Sequence, residues 1–501
     1  MSATLVIALL VGYFGILILI SILTSKNAST DTFFTGNRAS KWYLVAFGMI
    51  GTSLSGVTFI SVPGKVHVDG MAYFQVVLGY ILGYIVIAQV LMPLYYRMKL
   101  VSIYEFLDKR FGIVSHKTGA SFFILSRTVG SAMRLYLATF VLQKFLFDGL
   151  GVPYFITAII TVLLIWVYTF KGGIKTIIYT DTFQTTFLVG AVVLSVFFIS
   201  HSLHLNLVEL YDKISAKSTE LGTSMTRIFY FDDVNSPIYF PKYFFGGMFL
   251  AIAMTGLDQD MMQKNLSCRN IGDAQKNMYS FTTIMVLVNF FFLLLGGALY
   301  VYSDTLGIHL PSVAGQVITD DVYPTLAFQH LGLFVGILFL LGILASSYAS
   351  SDSALTALTT GFCIDFLHFD RREEKEKKRI KTYVHIGFSI IFLLIALGTK
   401  WYMDTFGGDL IDVILKAASY TYGPLLGLFF FGILTKRKVR EWLVPVVCIL
   451  APAICFILSS NSKEWLNGYV FSYEILILNG LLTFGLLALI SKPQTEKMET
   501  I

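Results

Sequence analysis

Apolar runs of about 20 residues recur along almost the whole chain, and they constrain its fold more than any other feature. A helix of that length crosses a hydrocarbon core about 30 Å thick. Charged residues make up only 14% of the 501 residues, whereas a soluble domain carries about 25%. The runs therefore predict an all-α polytopic membrane protein embedded in a lipid bilayer.

About thirteen transmembrane helices are predicted. Their approximate limits are 3–23, 42–61, 72–97, 118–147, 153–170, 176–201, 243–262, 278–303, 325–363, 382–399, 407–434, 441–459 and 470–490. The first run has no basic residue before it and no cleavage pattern after it, so it is interpreted as a retained span rather than a signal peptide. The ninth run is too long for one straight helix, so a short helix is expected before the span.

The basic residues indicate the orientation. Most of the 37 lysines and arginines fall in alternate loops, such as 97–117, 371–381 and the loop 264–276 that begins with Lys264. Loops on the cytoplasmic side carry an excess of these residues. The alternation predicts an outside N-terminus and an inside C-terminus, which requires an odd number of spans.

The residues do not indicate a nucleotide-binding protein, a metalloenzyme or a nucleic-acid-binding protein. The chain has no phosphate-binding glycine loop, and its eight histidines are scattered, so neither a nucleotide site nor a catalytic metal cluster is indicated. The net charge of +6 follows the loops and does not indicate nucleic-acid binding. The four cysteines imply no disulfide framework. We therefore expect no enzyme activity and no obligatory protein partner.

Two polar stretches interrupt apolar runs. "GTSLSGVTF" at 51–59 combines two glycines with four hydroxyl side chains, which fits an unwound turn lining a cavity or close helix packing. "ASSYASSDSALTALTT" at 345–360 carries nine hydroxyls and one acid, Asp352. Helical spacing places Ser346, Ala349, Ser350 and Ser353 on one face. Such oxygens suit a hard cation such as sodium, although back-bonding to helix carbonyls is the alternative.

Charged residues within spans are functional candidates by default. Asp181 lies near the start of the sixth span, where it could instead cap the helix. Arg127 and Arg134 are seven residues apart and share a face of the fourth span. Arg134 could bind an anionic solute or pair with an acid. Asp412 and Lys416 have the spacing of a structural ion pair.

Five motifs in the same order resemble the sodium/solute symporter family, which has a LeuT-like fold. The matching segments are "STDTFFTGNRASKW" (29–42), "GTSLSGVTFISVPG" (51–64), "SIYEFLDKRFG" (102–112), "GGIKTIIYTDTFQ" (172–184) and "DQDMMQKNLSCRNIGDAQK" (258–276). The resemblance implies one transporter domain with two inverted five-helix repeats. It assigns 1–41 to an extra N-terminal helix and loop, 42–201 and 243–434 to the repeats, and 435–501 to two C-terminal helices and a tail.

The resemblance also implies a sodium site between the broken helix and the ninth span. Its ligands would be carbonyls of Gly51, Leu54 and Ser346, with Ala349 and Ser350 at the family's paired hydroxyl positions. Ala349 departs from the expected Ser or Thr. A shift of three residues would use Ser346 and Ser347 instead.

Some members of the family hold a second sodium ion, so one or two ions are expected. The corresponding positions are Asp181, Asp352 and Ser353, and the acid at Asp352 could alternatively take a proton. The family's substrate positions correspond to Ser53, Ser55, Thr58, Gln75 and either Arg134 or Arg127. This hydroxyl-rich set resembles the branch that carries carboxylates, acidic sugars or small anions.

The sequence therefore predicts a sodium-coupled symporter that imports a small polar or anionic solute. Two alternatives remain open, a proton-coupled symporter of the same fold and a transporter-like solute sensor. The short loops indicate a multi-pass protein of the bacterial inner membrane.

Overall fold

The computed structural model describes residues 3–26, 30–170, 173–313, 315–367, 369, 372–406 and 410–493. Most of these residues are helical. The α-helices are α1 (Ala3–Thr24), α2 (Thr30–Thr35), α3 (Trp42–Ser53), α4 (Gly56–Asp69), α5 (Tyr73–Val86), α6 (Met92–Met98), α7 (Glu105–Phe111), α8 (Ile113–Leu142), α9 (Tyr154–Thr169), α10 (Gly173–Ser202), α11 (Leu207–Ser215), α12 (Phe240–Ala251), α13 (Gln259–Leu266), α14 (Ile271–Thr305), α15 (Thr319–Gln329), α16 (Gly332–Gly361), α17 (Glu374–Phe406), α18 (Leu410–Leu434), α19 (Val444–Ser460), α20 (Ser462–Trp465) and α21 (Ile475–Leu489).

Short irregular helices and two small sheets complete the described chain. The π-helical segments are Ile87–Leu91, Gln143–Phe147, Ile252–Gly256 and Phe362–Phe366, and the 3-10 segments are Gly36–Arg38, Asp148–Leu150 and Glu441–Leu443. The antiparallel pairs are β1 (Ser312–Val313) with β2 (Gln316–Val317), and β3 (Lys438–Val439) with β4 (Ser491–Lys492).

Eight described helices are long and apolar enough to cross a membrane, and the number rises to ten if each of two bent pairs counts as one span. Two further apolar helices, α9 and α21, are shorter. The ninth run divides into a short α15 and a long α16, which confirms the helix expected before that span. The membrane character of the chain is thereby confirmed.

The break predicted at 51–59 is confirmed. Helices α3 and α4 meet at an angle of 62°, and Leu54 and Ser55 between them have non-helical backbone angles. A second bend of 64° separates the segment Phe240–Gly256 from α13. There Asp258 caps α13 by accepting hydrogen bonds from the backbone N–H groups of Asp260 and Met261, at 2.9 and 3.3 Å. The prediction of an unbroken seventh span was wrong because a cap starts a new helix inside it.

Glycines bring helices α5 and α12 into backbone contact. A Cβ atom added at Gly79 would overlap the carbonyl oxygen of Phe244, and one added at Gly247 would overlap the carbonyl oxygen of Val76. Small residues allow this close approach between membrane helices. The broken helix α3–α4 packs against α10, α14 and α16.

Candidate functional site

A central cavity of about 80 Å³ lies at the break between α3 and α4. It brings together five of the predicted substrate residues, which are Ser53, Ser55, Thr58, Arg127 and Arg134. The three hydroxyls lie at or close to the break. The backbone groups at the end of α3 and at the start of α4 also lack helical partners there. The two arginines come from α8, whose helical periodicity places residues seven apart on one face.

The opposite wall contains residues that sequence reasoning missed. Tyr73, Tyr80 and Tyr84 line the cavity from α5, and the Tyr73 and Tyr80 hydroxyl oxygens are 3.3 Å apart. Their spacing of seven and four residues is a helical-face pattern that could have identified them. Asn289 of α14 also lines the cavity. Its amide donates to the Met285 carbonyl at 2.8 Å, while its buried Oδ1 has no hydrogen-bond partner in the described chain.

The structure does not place Gln75 with this set. The Gln75 side chain is fully buried, and its amide donates to the carbonyls of Ala72 and Ile238 at 3.2 and 3.0 Å. Its Oε1 accepts from the Tyr230 backbone N–H at 3.2 Å. We correct the prediction for Gln75: its polar atoms bind backbone groups of Ala72, Tyr230 and Ile238 and are unavailable to a solute.

Arg127 is paired with acids of the second bend. Its guanidinium forms ion pairs with the buried carboxylates of Asp260 and Asp258, the latter at 3.9 Å. Tyr422 donates to Asp258, and Ser353 donates to Asp260. Ser353 therefore faces this cluster, which corrects its predicted grouping with Asp181.

Arg134 differs from Arg127. It is half-buried and forms no hydrogen bond or ion pair with any described residue. A guanidinium has five donors in a planar fork that matches a carboxylate. The cavity therefore presents a cation whose donors are available to a ligand.

Asp181 is paired with a lysine that the sequence analysis placed in a cytoplasmic loop. Lys264 is only 1% exposed, and its Nζ lies 2.6 Å from Asp181 Oδ2. Thr52 of the broken helix donates to the same carboxylate oxygen at 2.9 Å and also contacts Lys264. The loop position predicted for Lys264 was wrong, because α13 folds back into the helix bundle after the second bend.

Asp352 occupies the adjacent part of α16. It is fully buried, and its Oδ2 accepts a hydrogen bond of 2.7 Å from the Tyr168 hydroxyl. Its Oδ1 has no hydrogen-bond partner in the described chain. The Tyr13 hydroxyl and the Gln184 amide lie next to each other in the same buried region.

The predicted sodium position lies between Gly51 and α16. Gly51 is in the last turn of α3, where carbonyls lack helical donors. A Cβ atom at Gly51 would lie 3.4 Å from the Ala349 Cβ, and the Gly51 N–H donates to Thr185 Oγ1 at 3.0 Å. Ser346 and Ser350 each donate to a carbonyl of their own helix at 3.0 Å. Backbone and hydroxyl oxygens at this place fit a hard monovalent cation.

Ser347 directly follows Ser346 in α16, and it lies beside Gly56 at the start of α4. Its buried hydroxyl has no hydrogen-bond partner among the described residues. A Cβ atom added at Gly56 would overlap it. The side chain of Asp412 lies outside the described residues, so its predicted pairing with Lys416 is not described, and Lys416 itself is exposed.

Two broken helices around a polar cavity, within a bundle of membrane-spanning helices, define a secondary transporter. The model of the sodium:solute symporter family matches residues 33–441, and the chain belongs to this family. The protein is a sodium-coupled solute symporter and not an enzyme.

The chain is similar to named relatives along most of its length. It is 23% identical to the sodium/sialic acid symporter SiaT of Proteus mirabilis, over 98% of this chain and 97% of the relative. It is also 23% identical to the sodium/sialic acid symporter NanT of Aliivibrio fischeri, over 94% and 91% of the two chains. A solved structure of a Na⁺-coupled sialic acid symporter in a substrate-bound outward-open state matches with a TM-score of 0.80. That match has 20% identity and covers 98% of this chain and 99% of the other, and it confirms the LeuT-like fold.

Proposed function

We propose that the protein imports a small organic carboxylate together with sodium by alternating access. The observation that carries this proposal is Arg134, a cavity-lining cation with no partner in the described chain. A neutral solute would leave this guanidinium desolvated and unpaired, which is costly. A carboxylate would bind it bidentately.

The remaining walls favour a hydroxylated carboxylate. Ser53, Ser55 and Thr58 supply hydroxyls that both donate and accept, and Asn289 supplies an unused acceptor. Sugar acids have hydroxyl groups that match such walls. Because two similar relatives are sialic acid symporters, a sialic acid is the first solute to test.

The principal sodium ion is assigned to carbonyls of Gly51 and Leu54 with α16 residues Ser346, Ala349 and Ser350. Support comes from the contact between Gly51 and Ala349. In the shifted alternative, Ser346 and Ser347 take the places of Ala349 and Ser350, and the unpartnered Ser347 hydroxyl supports this register. Ser350→Ala and Ser347→Ala distinguish the two registers, since only the ligand variant should raise the sodium concentration needed for half-maximal uptake.

A second cation is assigned to Asp352 rather than to Asp181. Lys264 already neutralises Asp181, whereas Asp352 accepts a hydrogen bond from the Tyr168 hydroxyl and forms no ion pair with a described basic residue. A buried carboxylate needs a compensating cation or a proton. A second sodium ion predicts a cooperative sodium dependence of uptake that Asp352→Asn removes. A proton predicts instead that uptake responds to a pH gradient.

The finer topology is part of this proposal. The eight long apolar helices, the two bent pairs, α8 and the two shorter apolar helices together give thirteen spans, with the N-terminus outside and the C-terminus inside. The repeats are 42–201 and 243–434, preceded by 1–41 and followed by 435–501. We place the protein in a bacterial inner membrane, without an obligatory protein partner.

The test of the substrate class is uptake into proteoliposomes driven by an inward sodium gradient. N-acetylneuraminate and its methyl ester are compared, because the ester removes only the charge. Uptake of the acid and not of the ester supports the proposal. Equal uptake of both, or competition by glucose with equal potency, contradicts it.

A further inference from the structure

A second cavity lies directly beyond Arg134, between α8 and α18. Its volume is about 170 Å³, roughly twice that of the central cavity. Its walls are mostly apolar and include Val129, Gly130, Met133, Ala417 and Ala418. We name it the side cavity.

The side cavity continues the central cavity. Both are lined by Arg127, Arg134, Met254 and Ile414, so the two arginines stand at the junction. A ligand whose carboxylate binds Arg134 therefore has polar walls on one side and apolar walls on the other. Most of the free space lies on the apolar side.

Gly130 makes part of this space. Apart from its chain neighbours and the backbone of its own helix, no heavy atom of the described residues lies within 4 Å of the position that a Cβ would occupy there. Glycine in a helix interior costs about 1 kcal/mol relative to alanine. Because Gly130 has no side chain, α8 leaves space beside Arg134 that a larger residue would fill.

We propose that the transported anion carries a short apolar arm, which enters the side cavity while its carboxylate binds Arg134. This inference rests on the proposed carboxylate transport. A lipid chain entering past the exposed Leu125 would satisfy the apolar walls but would leave the guanidinium without a partner. An anion with an apolar arm satisfies both parts of the site.

The test compares binding of matched carboxylates to the purified full-length protein in saturating sodium. One pair is N-acetylneuraminate and 2-keto-3-deoxynononate, which has a hydroxyl in place of the acetamido group. The other is 4-methyl-2-oxopentanoate and pyruvate. Each buried methylene strengthens binding about fourfold. We therefore expect the member with the arm to bind at least about tenfold more tightly in one of the pairs.

Gly130→Val fills the side cavity and should reduce that preference to about twofold or less. Gly190→Val is the matched control: Gly190 is also the eighteenth residue of a 30-residue membrane helix, has open space around it, and lines neither cavity. Ala417→Val narrows the cavity from the α18 side and serves if Gly130→Val does not fold.

The outcomes separate the two proposals. Equal binding within both pairs, or a preference that neither Gly130→Val nor Ala417→Val reduces, overturns the apolar arm and leaves carboxylate transport standing. Failure of all four carboxylates to bind overturns both proposals. A preference of at least tenfold that survives Gly190→Val and disappears in a cavity-filling variant establishes the arm.

Discussion

Arg127 and Arg134 lie two turns apart on the same face of α8, and their surroundings are opposite. Arg127 faces two buried carboxylates of the second bend. Arg134 faces the junction of two cavities and has no described partner. Residue type and spacing alone do not distinguish them. The position of the acids does, and it supports our proposal that Arg127 belongs to the framework of the site and Arg134 binds the ligand.

The largest expected effect is on Arg127. Arg127→Met leaves Asp258 and Asp260 buried without their cation, which should cost about 3–5 kcal/mol of stability. Chemical denaturation in detergent measures this loss. Asp260→Asn added to Arg127→Met should recover part of it. A loss below about 1 kcal/mol would show that the acids are not held by Arg127.

Arg134→Gln should weaken binding of the transported carboxylate about 30- to 150-fold, since a charge-assisted hydrogen bond contributes about 2–3 kcal/mol. The unfolding free energy should change by no more than about 0.5 kcal/mol. Titration calorimetry and denaturation of the same preparation test both statements. Large destabilisation with unchanged affinity would reverse the roles of the two arginines.

Arg134→Lys retains the charge but loses the planar fork, so binding should weaken by about tenfold. The comparison with Arg134→Gln separates charge from geometry. The affinity should rank wild type, then lysine, then glutamine. If lysine binds as tightly as arginine, the carboxylate is not held by two parallel hydrogen bonds.

The smallest expected effect is on Asn289. Asn289→Leu removes one neutral hydrogen-bonding group, worth about 1 kcal/mol, and should weaken binding about fivefold. Because Leu replaces Asn at similar volume, the unfolding free energy should not fall. Unchanged affinity would mean that the unused Asn289 Oδ1 does not face the solute.

The local pattern of the sequence offered the first break as one of two alternatives, and it gave no information on the pairing of charges. Glycines and hydroxyl residues at 51–59 fit an unwound turn or close helix packing, and the resemblance to the symporter family favoured the break. The partner of Lys264 is Asp181, 83 residues earlier, and only the folded chain brings them together. Counting every basic residue outside a predicted span as a loop residue therefore misplaced Lys264.

The error for Lys264 was to treat a buried, paired residue as a loop residue, and the error for Gln75 was to treat a structural residue as a functional one. A polar residue in an apolar helix attracted a functional interpretation, but its donors and acceptor are consumed by backbone groups. The prediction for Arg134 left two alternatives open, a ligand or an acid partner. Only the positions of the acids decide between them.

The glycine contacts between α5 and α12 bear on how the transporter moves. Backbones that touch at Gly79 and Gly247 cannot slide past one another without collision. These two helices should therefore travel as one piece when the binding site changes the side of the membrane it faces. Flexing is left to the places where helical hydrogen bonding is already interrupted, at Leu54–Ser55 and at Leu257–Asp258. The solute would then be held at the hinges of the moving part.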